Sequence, residues 1–312
     1  MKSWIREKKY ECGEYRTVGI YAVTDQEHRQ RGRKHKESSR GQKARNKNAS
    51  MRRYQRKVLA NFDKDGFYVT GTYEDAYRPE SFEDCVQDVR NYVRRVKAAV
   101  IRRFGEQRAR RLKLSLHAVR NGEKGKLHMH GFAECKGLTT AERREFRAIL
   151  EELWRRRVPG TSEYEPLGTM NADRIDMKKI LGIDGDGKNG TVGYIYGHSE
   201  RRCVETRNLT MPEELRAADT KWSRRQLRKG CEECAENNYW WEKRFPGWEV
   251  VQVMIYDPQQ LHETEKPRPD GWETTDPQAY LILRRRGSPL SAQSGNAGAA
   301  YSSPKGRALL RG

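Results

Sequence analysis

The chain has 312 residues, and 63 Lys and Arg against 43 Asp and Glu give it a net charge of +20. Its length suffices for one large domain or two ordinary ones, and so strong a positive charge is typical of a protein with a polyanionic partner, most often nucleic acid. An anionic membrane surface is the alternative. However, the sequence contains no hydrophobic stretch of transmembrane length and no signal-peptide core, so we expect a cytoplasmic protein without a membrane partner.

Residues 1–50 are predicted to form a basic N-terminal arm, with one short strand near residues 20–23. Lys and Arg are concentrated between residues 29 and 47, where Glu37 is the single acid. Because this run lacks an apolar period, we expect it to be flexible when free and to contact DNA phosphates when bound, with Arg33 and Lys34 among the contacts. A solubilising tail without a specific role is the alternative.

Three elements are predicted next along the chain. Residues 51–62 carry apolar side chains at helical spacing, and residues 67–73 form an aromatic, β-branched segment typical of a strand. From Phe82 to Val100, apolar residues recur at alternating steps of four and three, which predicts a long amphipathic helix. Ser81 and Asp84 have the spacing of an N-terminal cap for this helix.

Two further strands are predicted on either side of a hairpin turn at residues 121–125. Residues 112–119 alternate between leucine and polar side chains, and the second strand contains His128 and His130. That spacing on a strand projects both imidazoles from one face. Two neutral imidazoles side by side form half of a binding site for a divalent metal. A pair of half-buried histidines that only pack is the alternative.

A second helix and a fourth strand complete the predicted domain. Thr139 and Glu142 form a capping box ahead of an apolar stripe that ends at Trp154, and a strand is predicted around residues 174–177. The order β-α-β-β-α-β predicts an α+β fold with a ferredoxin-like antiparallel sheet whose helices cover one face. The histidine pair would then lie on a central strand, and the open face would receive the ligand.

The predicted domain comprises residues 51–205, and two segments follow it. Residues 206–266 are predicted to form an accessory C-terminal region with a strand at 248–256. Its aromatic residues either build a small core, which is the preferred interpretation, or offer stacking surfaces for bases. Residues 267–312 are rich in Pro, Gly, Ser and Ala, which predicts a disordered tail.

The six cysteines are too few and too scattered for a disulfide scaffold. Cys231 and Cys234 have the spacing of half a zinc knuckle, and Cys12 and Cys203 are conceivable partners. Because neither a second Cys-x-x-Cys nor a nearby His completes the set, we expect reduced, unpaired thiols instead of a structural zinc.

Two tyrosines lie downstream of the histidines, in a segment that is predicted to begin a helix and that ends in arginines. They are Tyr194 and Tyr196. A divalent ion held by His128, His130 and a third ligand would polarise a phosphodiester, and a tyrosine oxygen could attack its phosphorus. Metal and arginine charge would have to stabilise the phenolate, because a free tyrosine has a pKa of about 10.

Three short motifs, in this order, resemble those of the HUH endonucleases, specifically the rolling-circle replication initiators of plasmids and small phages. They are Tyr68-Val-Thr-Gly-Thr-Tyr73 followed by Pro79, Gly125-Lys-Leu-His128-Met-His130, and Gly193-Tyr194-Ile-Tyr196. The resemblance covers residues 50–202. It implies a ferredoxin-like HUH-type fold, bound Mg²⁺ or Mn²⁺, and nicking and joining of single-stranded origin DNA through a 5′-phosphotyrosine in a bacterial host cell. Since no Gly-x-x-x-x-Gly-Lys-Ser/Thr segment is present, a host helicase would be a partner beside the host polymerase.

The resemblance also implies roles for single residues. Tyr194 is the preferred nucleophile and Tyr196 the second choice. Residues two apart on a helix do not share a face, which argues against a mechanism that uses both tyrosines. His198 stands where the family has a second tyrosine or a lysine. The remaining candidates are His117 as the third metal ligand, with Glu123 or Glu134 as alternatives, and Thr70, Thr72, Arg201 and Arg202 as DNA contacts.

Two other functions compete with replication initiation. A transposase or conjugative relaxase would use the same chemistry, although relaxases generally place the tyrosine before the histidines and single-strand transposases are usually much shorter. A non-catalytic nucleic-acid-binding protein on a ferredoxin-like sheet is the third hypothesis. The sheet lacks the stacking aromatics on central strands that RNA-recognition modules use, which argues against it.

Overall fold

A computed structural model describes residues 2–24, 40–122, 125–183, 190–200, 203–256 and 276–287, with side chains from residue 46 onward in the first helix. Arg33, Lys34, Glu123, Arg201 and Arg202 lie outside these ranges. None of the described helices is both long and apolar enough to cross a bilayer.

The described chain contains twelve strands and eight α-helices. The strands are β1 (Ser3–Cys12), β2 (Tyr15–Thr24), β3 (Phe67–Gly71), β4 (Leu112–Arg120), β5 (Leu127–Cys135), β6 (Arg155–Arg157), β7 (Tyr164–Pro166), β8 (Met170–Arg174), β9 (Cys203–Glu205), β10 (Glu213–Ala218), β11 (Trp248–Tyr256) and β12 (Gln278–Arg285). The helices are α1 (Arg40–Asn61), α2 (Phe82–Phe104), α3 (Glu106–Ala109), α4 (Thr140–Glu152), α5 (Met177–Leu181), α6 (Gly190–His198), α7 (Arg224–Glu232) and α8 (Asn238–Glu242).

A five-stranded antiparallel sheet in the order β8-β3-β5-β4-β9 forms the centre of the molecule. Along the chain, its elements follow as β3, α2, β4, β5, α4 and β8, which is the predicted β-α-β-β-α-β order. The histidine-bearing strand β5 is the middle strand. The mixed α+β class and the central position of the histidines are therefore confirmed.

The helices α2 and α4 cover one face of this sheet, as their apolar periods predict. Val89, Val96 and Val100 of α2 are fully buried in the same core as Leu114 and Met129 of the sheet. Both N-terminal caps also form. The Oγ of Ser81 accepts the backbone N–H of Asp84, and Thr139 and Glu142 make a reciprocal capping box.

The helix α1 packs on the opposite, histidine-bearing face, so helices lie on both faces of the sheet. Tyr54 and Val58 of α1 share a core with Phe132 of β5 and Ile195 of α6. The expectation of one open face is therefore wrong over this part of the sheet. Local periodicity predicted this helix over residues 51–62, whereas α1 begins at Arg40, inside the predicted basic arm. The periodicity also carried no information on which sheet face the helix covers.

A second five-stranded antiparallel sheet, in the order β10-β1-β2-β12-β11, corrects two predicted boundaries. Residues 3–24 form its strands β1 and β2, instead of belonging to an arm, and residues 278–285 form β12, instead of belonging to a disordered tail. Val18 of β2 lies opposite Leu281 of β12, and both are fully buried. The gain from burying these apolar strands against each other explains why both segments are ordered.

The aromatic residues of the accessory region build a core on this second sheet. Trp222, Trp241 and Phe245 are buried together with Ile20 of β2 and Leu281 of β12. Tyr239, by contrast, is 66% exposed. The preferred interpretation of these aromatics as core residues is confirmed for Trp222, Trp241, Phe245 and Trp248, whereas Trp240 and Tyr256 are half-buried.

The strand predicted around residues 174–177 ends earlier than expected. β8 stops at Arg174, and Asp176 caps the short helix α5 by accepting the backbone N–H of Lys178. An Asp side chain that captures a free helix N–H competes well with continuation of a strand.

The buried carboxyl of Glu134, near the end of β5, makes the stability of the folded protein depend on pH. Its side chain is 2% exposed, and its Oε2 accepts the backbone N–H of Asp63 at 2.9 Å. Burial raises the pKa of this carboxyl to about 7, from 4.5, against an opposing contribution from Lys136. Between these two values the folded protein holds a proton that the unfolded chain has released, so stability falls as the pH rises from 4.5 towards 7.

We expect Glu134→Gln to be more stable than the parent chain above pH 7, by at most about 3 kcal/mol, and equally stable at acidic pH. The Gln carbonyl oxygen still accepts the N–H of Asp63 without ionising. Urea unfolding at several pH values measures the difference, with the exposed Glu232→Gln as the control that should leave the profile unchanged. Parallel pH profiles for the parent and Glu134→Gln would contradict the assignment.

Candidate active site

A row of polar side chains crosses all five strands of the central sheet. His130 of β5 lies opposite Thr70 of β3 on one side and His117 of β4 on the other. Thr70 in turn lies opposite Asn171 of β8, and His117 lies opposite Cys203 of β9. Because directly opposed residues project from the same face, strand register alone places these five side chains in one line.

Gly131 keeps the strands in this row close together. A Cβ atom at this position would lie 2.2 Å from the carbonyl oxygen of Ser115 on β4. Any larger residue would push β5 away from β4 next to His130, so the glycine permits the close backbone approach.

The two histidines of β5 form a contacting pair, as their spacing predicts. The ring centroids of His128 and His130 lie 4.7 Å apart, and the ring planes are nearly perpendicular. Burial, together with the neighbouring His128, lowers the pKa of His130 to about 3. His130 is therefore neutral at physiological pH and keeps a nitrogen lone pair for a metal.

Hydrogen bonds orient both imidazole rings. The Nδ1 of His130 is hydrogen-bonded to the Tyr68 hydroxyl at 2.7 Å and to the Thr70 hydroxyl at 3.0 Å. The Nδ1 of His128 lies 2.8 Å from the carbonyl oxygen of Lys126. Since a carbonyl can only accept, this Nδ1 carries the proton and the Nε2 of His128 presents its lone pair. Partners of this kind commonly orient metal-binding histidines.

Tyr194 of α6 lies directly against the histidine pair. Its hydroxyl is 3.3 Å from the Nε2 of His128 and donates to the Oδ1 of Asn121 at 2.8 Å. Its ring centroid is 5.5 Å from that of His130 and 4.7 Å from that of His198. The tyrosine preferred from the sequence is thus the one that the fold brings to the histidines.

Tyr196 faces a different part of the molecule. Its ring centroid lies 6.3 Å from that of Tyr54 on α1, and it packs against the apolar cluster between α1 and the sheet. Two residues on a helix are separated by about 200° of rotation, which is why Tyr194 and Tyr196 point to opposite sides.

The structure does not group His117 with His128 and His130. The ring of His117 lies under α1, edge-on to Tyr54 at a centroid distance of 4.7 Å. Among the residues that the structure describes, three potential metal-binding side chains come together at His117, Cys203 and Glu205, with ligand atoms within 4.8 Å of one another. No described group of three includes His128 or His130. His117 lies opposite His130 in the register, but the ligand atoms of the three histidines do not all lie within 4.8 Å of one another.

Glu134, one alternative third ligand, is bound instead to the backbone of the loop that precedes β3. The other alternative, Glu123, falls outside the described residues.

Only two of the six predicted DNA contacts, Thr70 and Thr72, lie within the described residues. Thr70 lies in the polar row beside His130, whereas the exposed Thr72 follows the end of β3 and donates to the carbonyl oxygen of Thr169 at 3.3 Å. The four predicted basic contacts lie outside the described residues.

Cys231 and Cys234 are buried thiols that form no disulfide, and no described cluster of three metal ligands contains either.

Three residues of the site were not predicted as site residues. Tyr68 contacts His130, Asn121 contacts Tyr194, and His198 packs on the Tyr194 ring. For Tyr68 the signal was its position two residues before Thr70, on the same strand face. For His198 it was the i,i+4 spacing from Tyr194 on a helix. Asn121 carried no such signal, because its position depends on the hairpin turn.

A scan against protein-family models, a search of curated proteins and a search of solved structures each found no match. The chemistry of the site therefore carries the functional conclusion.

Proposed function

We propose that the chain is an HUH-type tyrosine nickase that initiates rolling-circle DNA replication. The observation that carries the proposal is the 3.3 Å separation between the Tyr194 hydroxyl and the Nε2 of His128, beside His130 on the central strand. The tyrosine nucleophile lies there beside the pair His128 and His130, which supplies two ligands of a metal site and is called the metal half-site. The antiparallel sheet that carries the pair has the strand and helix order of the ferredoxin-like plan.

The histidine pair fits a divalent ion. The Nε2 of His128 keeps a free lone pair because the Nδ1 donates to the Lys126 carbonyl oxygen. Both hydroxyls at the Nδ1 of His130 can accept a hydrogen bond from that nitrogen, so the Nε2 of His130 can offer its lone pair to the metal. Mg²⁺ and Mn²⁺ usually keep several water ligands, so a site with two protein ligands is adequate for them. When bound, such an ion polarises the phosphodiester oxygens and stabilises charge in the transition state.

Tyr194 would perform the covalent step. Its phenolic oxygen attacks the phosphorus, the new bond is a 5′-phosphotyrosine, and the bond to the 3′ oxygen breaks. The phenol proton is lost to solvent, and the departing oxygen gains a proton to become a free 3′-OH. Attack of a 3′-OH on the phosphotyrosine reverses the reaction, so one tyrosine accounts for both nicking and joining.

Asn121 and His198 would orient this nucleophile. The Asn121 carboxamide accepts the hydrogen bond of the phenol, and the His198 ring packs on the tyrosine ring while its Nδ1 bonds to the Tyr194 carbonyl oxygen at 2.8 Å. A nucleophile held in this way loses less orientational freedom when it attacks.

The substrate class follows from charge and strand chemistry. A net charge of +20 favours binding of a polyanion in a salt-dependent manner. A phosphotyrosine link with a free 3′-OH suits single-stranded origin DNA that a polymerase then extends, with host helicase and polymerase as the proposed partners.

Tyr68 gives a test of how the metal half-site is oriented. Burial raises the pKa of Tyr68 to about 12, so its hydroxyl stays protonated and serves as a hydrogen-bond partner of His130. We expect Tyr68→Phe to raise the Mn²⁺ concentration needed for half-maximal cleavage by about 10- to 100-fold. Metal titrations of cleavage measure this shift.

The exposed Tyr239→Phe is the matched control and should leave the Mn²⁺ dependence unchanged. An unshifted midpoint in Tyr68→Phe would show that the hydroxyl does not orient a metal ligand.

A further inference from the structure

A second potential metal site lies at the edge of the central sheet. In the register between β4 and β9, His117 lies opposite Cys203 and Ser115 lies opposite Glu205. Positions 203 and 205 are two apart on one strand, so both side chains project from the face that carries His117. The ligand atoms of His117, Cys203 and Glu205 accordingly lie within 4.8 Å of one another.

His117 is the unusual member of this group. His117 is 3% exposed, and neither ring nitrogen has a hydrogen-bond partner among the residues that the structure describes. Buried polar groups are almost always paired, so an imidazole with two unpaired nitrogens needs an explanation. Burial, followed by the nearby Lys57, lowers the pKa of His117 to about 3, so the ring is neutral and able to donate a lone pair to a metal.

We propose that His117, Cys203 and Glu205 bind a zinc ion at a site separate from the His128 and His130 pair. One imidazole, one thiolate and one carboxylate are ligand types that Zn²⁺ takes, and the soft thiolate favours Zn²⁺ over the hard ions Mg²⁺ and Mn²⁺. Three protein ligands leave a fourth tetrahedral position for water.

The surroundings of Glu205 hold its carboxylate in place. Lys57 donates to its Oε2 at 2.7 Å, and Ser115 donates to its Oε1 at 3.0 Å. Each carboxylate oxygen has a second lone pair, so these bonds leave acceptor capacity for the ion. The Lys57 ammonium shares the carboxylate with the ion, and its positive charge sets a limit on the affinity.

Cys203 would change its protonation state when the ion binds. A cysteine binds zinc as the thiolate, so zinc binding would displace the thiol proton to solvent, and the affinity should increase with pH.

The ion would stabilise the pairing of the short edge strand β9 with β4. β9 has three residues and follows α6, the helix that carries Tyr194. Its only described sheet partner is β4. A metal that joins Cys203 and Glu205 of β9 to His117 of β4 would stabilise the strand at the C-terminal end of the nucleophile helix.

Cobalt(II) is the probe that distinguishes the two sites, because it gives an intense near-ultraviolet thiolate-to-metal band only when a cysteine is bound. We expect the full chain to bind one equivalent of Co²⁺ with this band, and Zn²⁺ to displace it. The band should be absent in Cys203→Ser and retained in the His128→Ala, His130→Ala double variant. Cys231→Ser, at a buried thiol outside the group, is the matched control and should retain it.

Two further measurements keep the test independent of folding and of DNA cleavage. Because residue 203 is exposed, Cys203→Ser should keep the circular dichroism and melting temperature of the metal-free chain but lose the increase in melting temperature that Zn²⁺ produces. Glu205→Gln should weaken Co²⁺ binding at least about 10-fold. Absence of the band in the parent chain, or its persistence in Cys203→Ser, would overturn the proposal whatever the outcome of cleavage assays.

Discussion

Replacing Tyr194 with Phe is expected to lower the rate of covalent DNA capture by at least about 10³-fold. The variant loses only the hydroxyl oxygen that lies 3.3 Å from the Nε2 of His128, while the aromatic ring that packs on His198 remains. Phe cannot form a phosphotyrosine bond, so the loss should affect the rate of the chemical step and leave DNA affinity unchanged. Denaturing gel electrophoresis of the chain with an end-labelled single-stranded oligonucleotide pool measures the adduct.

Tyr196→Phe is the matched control, because it removes the same atom two residues away on the same helix. Its ring lies towards Tyr54 instead of the histidine pair, so adduct formation should remain within a few-fold of the parent rate. Adduct formation that survives Tyr194→Phe and is lost in Tyr196→Phe would reverse the assignment of the nucleophile.

The second large effect is expected when the metal half-site is removed. His128→Ala, His130→Ala, or chelation of divalent ions by EDTA should each lower cleavage by at least about 10²-fold, because the charge on the transition state loses its stabilisation. Binding of single-stranded DNA should change little, since it depends on the basic surface and therefore on salt concentration. Cleavage assays and fluorescence anisotropy on the same oligonucleotides separate the two quantities.

The same pair of measurements tests the non-enzymatic alternative. A protein that only binds nucleic acid would retain its affinity in EDTA and in His128→Ala and would show no cleavage under any condition. Cleavage that persists in EDTA would instead contradict the role of the metal and leave the tyrosine chemistry without its electrostatic support.

Much of the central sheet was predictable, because local patterns determine its elements. The valine stripe of α2 and the capping residues Ser81 and Thr139 specify where helices begin and which face is buried. The two-residue spacing of His128 and His130 likewise specifies that both project from one strand face. These signals act within about four residues and need no knowledge of the tertiary fold.

The second sheet was not predictable in the same way. β2 pairs with β12, so Val18 meets Leu281 from the far end of the chain. The sequence of a short apolar segment does not show whether the segment pairs with another strand. The Gly- and Pro-rich sequence around β12 also hid the strand pattern. The composition of a long segment cannot reveal the eight residues within it that form a strand.

In the candidate site, too, features set by local patterns were predictable and contacts between distant strands were not. The sequence predicted the histidine pair and the preferred tyrosine, but it did not reveal the second neighbour of His117, which lies opposite His130 on one side and Cys203 on the other. Cys203 lies 86 residues away on a three-residue strand that has no period of its own. Contacts of this kind depend on strand register, which only the assembled sheet determines.

The most direct test of the central claim is to identify the residue that carries DNA after reaction. The full chain is incubated with Mn²⁺ and a single-stranded oligonucleotide pool with a randomised core, denatured, digested with nuclease and protease, and analysed by mass spectrometry. We predict a nucleotide attached through a phosphodiester to the oxygen of Tyr194, formed with Mn²⁺ and absent with EDTA. A chain that forms no adduct with any member of the pool, or an adduct on another residue, would contradict the account.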